Sequence, residues 1–170
     1  MTSLMWTKNL SVGNGIIDAE HRNLINMANG ILDAIRVQDR DEIAQAFELV
    51  ESWLAVHHAN EEKIARAVNF DFHQHKLAQQ HELYELRFLR DELLGKNALW
   101  SRHIVEHFTH FLKNWIIDDH IIRLNMLMKP VLQAYDYHFM PERNHERNGP
   151  MPATRNNCRL GFNLASYSVG

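Results

Sequence analysis

The stretch Leu54-Ala55-Val56-His57-His58-Ala59-Asn60-Glu61-Glu62-Lys63-Ile64 decides the fold. It lies in a run with helical periodicity. Phe47, Val50, Leu54, His57, Glu61, Ile64 and Val68 recur at three- and four-residue steps and share one face. Burying an imidazole or a carboxylate without a partner costs several kcal/mol, so an apolar face that carries both has a reason to hold them. The competing pair, His58 with Glu62, steps onto Glu51, Ala55 and Ala65. Periodicity therefore turns His57 and Glu61 inward and leaves His58 and Glu62 on the flank or in solvent.

Three more segments repeat the pattern. A first helix is expected from near Asp18 to about Val37, with Ile17, His21, Leu24, Ala28, Ile31 and Ile35 on one face. Asp39, with Glu42 three residues on, reads as the capping box of the second helix, about Arg40 to Val68. The third, roughly Phe72 to Leu94, has Asp71 to cap it and Gly95 to close it, with Phe72, His75, Gln79, Leu83, Leu86 and Leu93 inward. Ser101 caps the fourth, whose inward face is Leu112, Ile116, His120, Leu124 and Leu127, and Pro130 stops it after about Met128.

No proline falls between Ile16 and Met128, which suits long helices. Before them, Met1 to Gly15 reads as an irregular arm with a turn at Val12-Gly13-Asn14-Gly15. Four amphipathic helices with short connections predict an all-α, antiparallel up-down-up-down four-helix bundle over residues 1–130. Residues 131–170 are expected to form a partly irregular C-terminal extension. Within it Pro141 to Pro152 reads as loop, and Arg159 to Gly170 packs on the bundle, packs on a neighbour or is disordered.

A chain of 170 residues favours one domain, and 45% apolar residues suffice for a real core. Lys plus Arg number 18 and Asp plus Glu 21, a net charge of -3, which gives no electrostatic reason to expect nucleic acid or an anionic membrane as partner. The lone cysteine, Cys158, forms no internal disulfide and fits a reducing compartment. Met1 to Leu10 lacks an apolar leader core, and no stretch approaches the length of a membrane span. A cytoplasmic protein is expected.

Twelve histidines are the unusual count. A single inward histidine is ordinarily a hydrogen-bonded core residue. His21, His57, His75 and His120 with Glu61, all directed to one interior, are hard to satisfy by hydrogen bonds among themselves and point to a metal, with non-haem iron the natural occupant of a His/carboxylate set in a bundle. Other histidines fall elsewhere. His73 lies about 200° and His81 about 240° around the helix from His75. His81 aligns with Leu77, Tyr84 and Phe88, a second apolar stripe that serves as extra core or as a contact between copies in a homo-oligomer. His103, His107 and His110 lie about 80° to 140° from His120 and read as solvated or interfacial.

Beyond periodicity, the ordered motifs resemble hemerythrins, specifically the bacterial hemerythrin-like proteins. Trp6, then Val12-Gly13-Asn14 and Ile17-Asp18-Ala19-Glu20-His21, is similar to that family's opening motif. His57-His58-Ala59-Asn60-Glu61-Glu62 is similar to its His-x-x-x-Glu-Glu segment, and Trp115-Ile116-Ile117-Asp118-Asp119-His120 to its last-helix segment. Met126-Leu127-Met128-Lys129-Pro130 is similar to the end of that helix, so the likeness spans about Trp6 to Pro130.

The resemblance implies two irons held by five histidines and two bridging carboxylates. One iron would take His21 and His57, with Glu61 bridging. The other would take His75, position 79 and His120, and the second bridge would fall at position 125. Here those two positions are Gln79 and Asn125, neutral amides that ligate iron weakly. His120 and Asn125 are five residues apart, so joint ligation requires a local widening of the helix. Asp118 and Asp119 face elsewhere.

The implied function is binding of dioxygen or a similar diatomic, as carrier, store or sensor, with secondary reactivity towards peroxide or nitric oxide. Leu24, Leu54, Ile64, Ile116 and Leu124 would form the apolar surround. The alternatives are a mononuclear site on His21, His57 and Glu61, completed by His120, or a metal-free bundle acting as an interaction or regulatory protein. No Ser/His/Asp set, phosphate loop or cysteine motif implies catalytic turnover.

Overall fold

The computed structural model describes residues 3–95 and 101–141, the side chain of Leu124 excepted. The expectations for Pro141–Pro152 beyond Pro141 itself, for Arg159–Gly170 and for Cys158 lie outside these residues. The regular structure of the described residues is all helical, without a strand. The long rods are α1 (Gly15–Val37), α2 (Arg40–Ala67), α3 (His73–Leu94) and α4 (Arg102–Asn114). From α4 the chain continues directly into a π-helical segment, Trp115–Leu124, then a 3-10 turn, Asn125–Leu127, and a short α5, Lys129–Leu132.

Local chemistry sets these boundaries. The Asn14 side chain accepts from the backbone N–H groups of Ile16 and Ile17, so α1 starts at Gly15, earlier than the periodicity alone places it. Gly13, at φ +90, makes the turn before it. Asp39 accepts from Asp41 and Glu42 and caps α2, while Ser101 caps α4 through Ile104. At the end of α3, Gly95 is not a left-handed closing glycine; it is extended, at φ -54 and ψ 145. The guanidinium of Arg40, at the start of α2, donates to the carbonyls of Leu94 and Gly95 and takes over the satisfaction of that helix end.

The fourth rod departs most from expectation. It does not run as one α-helix to Met128. The Asn125 backbone N–H and its side-chain Nδ2 both donate to the His120 carbonyl, five residues back. The wider turn advances each residue by less than 100°, so the buried positions become Trp115, Ile116, His120, Ile121, Asn125 and Met128. Leu127, expected inward, is 61% exposed for that reason. Pro130 sits in the first turn of α5, where a missing N–H costs nothing, and so opens a helix rather than ending one.

The core falls into two apolar clusters. Ile25, Ile31, Ile35, Ile43, Phe47, Leu54, Leu86, Leu93, Leu112 and Ile116 belong to the larger. Val12, Ile17, Ile64, Val68, Phe72, Met128 and Leu132 belong to the smaller. Between them each rod contributes buried polar residues: His21 on α1, His57 and Glu61 on α2, His75, Gln79 and Glu82 on α3, and His120 and Asn125 on the fourth. Along α1 and α3 the chain passes from the small cluster to the large one, and along α2 and the fourth rod it returns.

The arm and the end of the described chain close the small cluster. Gly15 N–H donates to the Tyr137 carbonyl at 2.6 Å and Asn14 Nδ2 to that of Phe139 at 3.0 Å. Asp18, buried in the first turn of α1, accepts from Ser11 Oγ at 2.5 Å and from the Val12 N–H at 2.8 Å. Asp18→Ala leaves the buried Val12 N–H unpaired, and the expected loss is about 1–3 kcal/mol in urea unfolding. An unchanged midpoint would show that Asp18 does not hold the arm.

The second stripe is not core. Leu77, Tyr84 and Phe88 are all exposed, as is His81. His103, His107 and His110 are exposed too.

Candidate metal centre

All seven residues expected at the site (His21, His57, Glu61, His75, Gln79, His120 and Asn125) are buried. Glu61 is their hub. Its Oε1 lies 3.3 Å from His57 Nε2 and 3.8 Å from His21 Nε2, and its Oε2 lies 3.6 Å from His75 Nε2. His57 Nε2 and His120 Nε2 are 3.1 Å apart. One donor atom from each of His21, His57, Glu61 and His120 fits within a 4.8 Å span.

Gln79 and Asn125 enter differently. Gln79 Nε2 donates to Glu61 Oε2 at 2.6 Å, so it holds the carboxylate rather than offering a lone pair to the centre. Asn125 spends its Nδ2 on the His120 carbonyl, while its Oδ1 is buried without a hydrogen-bond partner among the described residues. The π-helical widening brings this residue onto the same side as His120.

Two carboxylates not singled out in the sequence complete the arrangement. His57 Nδ1 donates to Glu20 Oε2 at 2.8 Å, and Glu20 is held in turn by Asn60 Nδ2 at 2.5 Å. His120 Nδ1 donates to Glu82 Oε2 at 2.9 Å. Each contact fixes the tautomer and turns Nε2 towards the centre, as carboxylate partners of ligating histidines do. Glu20 is legible in the sequence as the neighbour of His21. Glu82 is not, because apolar spacing selects Leu83, yet Glu82 is buried and Leu83 only half-buried. His58, expected on the flank or in solvent, is half-buried, with its Nε2 enclosed and unpartnered among the described residues.

Aromatic rings wall the belt. Trp53 stacks on His57 at 4.9 Å, Phe72 on His75 at 4.4 Å and Trp115 on His120 at 6.1 Å. Leu24, Leu54, Ile64 and Ile116 are fully buried around it.

The electrostatics split the histidines. Burial opposes charge on His57, but the Glu61 carboxylate beside it and the Glu20 carboxylate, which accepts from its Nδ1, outweigh it and raise its pKa to about 9. Burial lowers His21 to about 4 against the pull of Glu61. His58 falls to about 3 through burial and the proximity of His120. Burial raises the Glu61 pKa, yet the His57 charge and the proximity of His21 and His75 hold it well below the carboxylate range. The metal-free protein should therefore have a narrow stability optimum. His57 is raised in the folded state, so its contribution is complete below about 6.5 and fades as pH rises towards 9. His21 and His58 are depressed, so theirs is complete above about 6.5 and fades on acidification, with Glu61 following below its ordinary range. Unfolding of the chelated protein across pH 4–9.5 checks this as a maximum near pH 6.5. A flat profile would contradict the assigned charge states.

The unpartnered buried atoms test whether a cation fits. Both nitrogens of His21 and of His75, together with Glu61 Oε1 and Asn125 Oδ1, have no hydrogen-bond partner among the described residues. Buried polar groups are normally satisfied, and lone pairs that converge without donors are what a cation completes. The fit is good at the His21–His57–Glu61–His120 end, where three imidazoles and a carboxylate meet.

Comparison with known proteins agrees with this geometry. No family model matches the chain. Over 117 residues it is 29% identical to bacteriohemerythrins of Pseudomonas aeruginosa and Pseudomonas paraeruginosa, which covers 63% of this chain and 75% of theirs. A crystal structure of a hemerythrin point mutant shares its fold, with a TM-score of 0.64 and 21% identity over 78% of this chain and 99% of that one. Sequence relatives and fold neighbours converge on one group: the chain is similar to bacteriohemerythrins in sequence and to hemerythrin in fold, which supports a hemerythrin-like family.

Proposed function

We propose that this is a non-haem iron protein that binds dioxygen or a similar diatomic, with its principal cation held by His21, His57, Glu61 and His120. The single observation that carries the reading is the convergence of those four donors, from three helical segments, within 4.8 Å in a buried belt. The alternating passage of the rods between the two apolar clusters supports an antiparallel up-down-up-down bundle as the scaffold over residues 1–130, with 131–170 as its extension. Iron, when bound there, supplies a redox-active Lewis-acid centre for the diatomic.

The chain's own residues do the rest. Glu20 and Glu82 orient His57 and His120. Trp53, Trp115 and the surrounding aliphatic side chains exclude water. Gln79 fixes one Glu61 oxygen. A second iron beside the first would rely on His75, Gln79 and Asn125 with a share of Glu61. That pole is weak, because both amides are neutral and the Gln79 amide already occupies the bridging oxygen. This favours single occupancy of the family position over the full dinuclear pattern.

Among the described residues no helix is long and apolar enough to cross a membrane. The reading is tested by elemental analysis of protein loaded anaerobically with Fe(II), followed by visible spectra before and after oxygen. Bound iron that His57→Ala abolishes, with an oxygen-dependent spectral change, is expected. Iron-free protein after loading, inert to oxygen, would leave the metal-free interaction bundle as the better account.

A further inference from the structure

We propose a second cation site next to the core centre, formed by His58 on α2, Glu82 on α3 and His120 on the π-helical segment. One donor atom from each of these three residues lies within 4.8 Å of the others. Ligands about 2.1 Å from a shared ion stand at most about 4.2 Å apart, so small side-chain rotations close the set. It rests on the core reading only in sharing His120.

Three observations single out this cluster. First, His58 Nε2 is buried and has no hydrogen-bond partner among the described residues, although its ring is only half-covered. A buried lone pair without a donor is unsatisfied until something supplies positive charge. Second, Glu82 is only 2% exposed, and among the described residues its side chain pairs with the imidazole of His120 and with no Lys or Arg. A carboxylate taken out of water is normally compensated by a cation. Third, the two nitrogens of His120 face different neighbours: Nε2 meets His57 at 3.1 Å, and Nδ1 meets Glu82 at 2.9 Å.

Two imidazoles and one carboxylate form a donor set for a divalent first-row cation such as Fe(II), Co(II) or Zn(II), with remaining positions open to water. Hard oxygen-preferring cations such as Ca(II) are a poor match. His120 would join the two sites through its two nitrogens. Ligation through both makes it a bridging imidazolate, and its one N–H proton passes to solvent. Glu82 then exchanges its hydrogen bond to Nδ1 for a bond to the cation. The neutral amides at 79 and 125 weaken one side of the belt, while the imidazole at 58 and the carboxylate at 82 strengthen another.

Co(II) titration of the metal-free full-length chain tests the site, with bound metal measured by elemental analysis and by visible ligand-field absorption. Wild type should bind two equivalents. His58→Gln should lose one equivalent, or bind it at least tenfold more weakly, and keep the other; Glu82→Gln should lose the same equivalent and, because Glu82 also orients His120, weaken the core one as well. Among the described residues His58 makes no hydrogen bond to another site ligand, so its variant separates ligation from positioning and carries the test if Glu82→Gln fails to fold. Two equivalents retained in His58→Gln would overturn the site. One equivalent in wild type, abolished by His21→Ala and untouched by His58→Gln, would overturn it while leaving the core centre standing. One equivalent that survives His21→Ala but not His58→Gln would do the reverse. No binding at all would overturn both.

Discussion

Glu61→Ala is expected to lose the core cation and to leave the metal-free protein about 3–5 kcal/mol less stable at neutral pH. The size follows from what surrounds Glu61. It is fully buried, and its two oxygens face His21, His57 and His75 at 3.8, 3.3 and 3.6 Å. It also accepts from Gln79 at 2.6 Å. Removing the carboxylate strands the Gln79 amide and leaves His57 with Glu20 as its only close anion among the described residues. His57 then sheds its proton more readily, which caps the cost. The cation loses its single inner carboxylate, and three neutral imidazoles hold iron far less tightly than a charged set does. Urea unfolding of chelated protein reads the first effect and Fe(II) loading the second. Wild-type values for both would show that Glu61 is not the hub.

The double change Gln79→His with Asn125→Asp should create a firm cation position on the His75 side of Glu61, at least a tenfold gain in affinity there. The imidazole introduced at position 79 would offer a ring lone pair where an amide now donates, and would free Glu61 Oε2. The carboxylate introduced at position 125 would place a negative charge where Asn125 now buries an unpartnered Oδ1. The π-helical turn already delivers that position to the His120 side of the rod, so no backbone rearrangement is required. The cost falls on the metal-free state. A carboxylate cannot donate to the His120 carbonyl as Asn125 Nδ2 does, and a buried charge is added, so the chelated variant should lose about 1–3 kcal/mol. Its signature is therefore an enlarged gap between loaded and chelated stability. A folded variant with no extra equivalent of cation would mean that positions 79 and 125 are not the weak pole of the centre.

Several particulars are readable from residue order. The three- and four-residue steps through Phe47, Leu54, His57, Glu61 and Ile64 separate the inward pair from His58 and Glu62 without coordinates. His21, His75 and His120 emerge the same way, and all are buried. The failures share a cause. Leu83 displaces Glu82 because apolar spacing treats a carboxylate as an outward residue. Leu127 is turned inward because a constant angular step is carried through a segment whose step changes. Gly95 is assigned a cap that Arg40 supplies from another helix.

What residue order determined is the set of things governed by local periodicity and capping: the rods, their inward faces, and the imidazoles and carboxylate on those faces. Each depends on neighbours within one turn or on a side chain one to three residues away. What required the folded chain is everything set between rods. Glu82 reaches His120 across 38 positions and Glu20 reaches His57 across 37. Such pairings are decided by the phase and depth at which helices dock, and the winding of the fourth rod, tightened or widened by a single carbonyl, moves that phase by more than a residue.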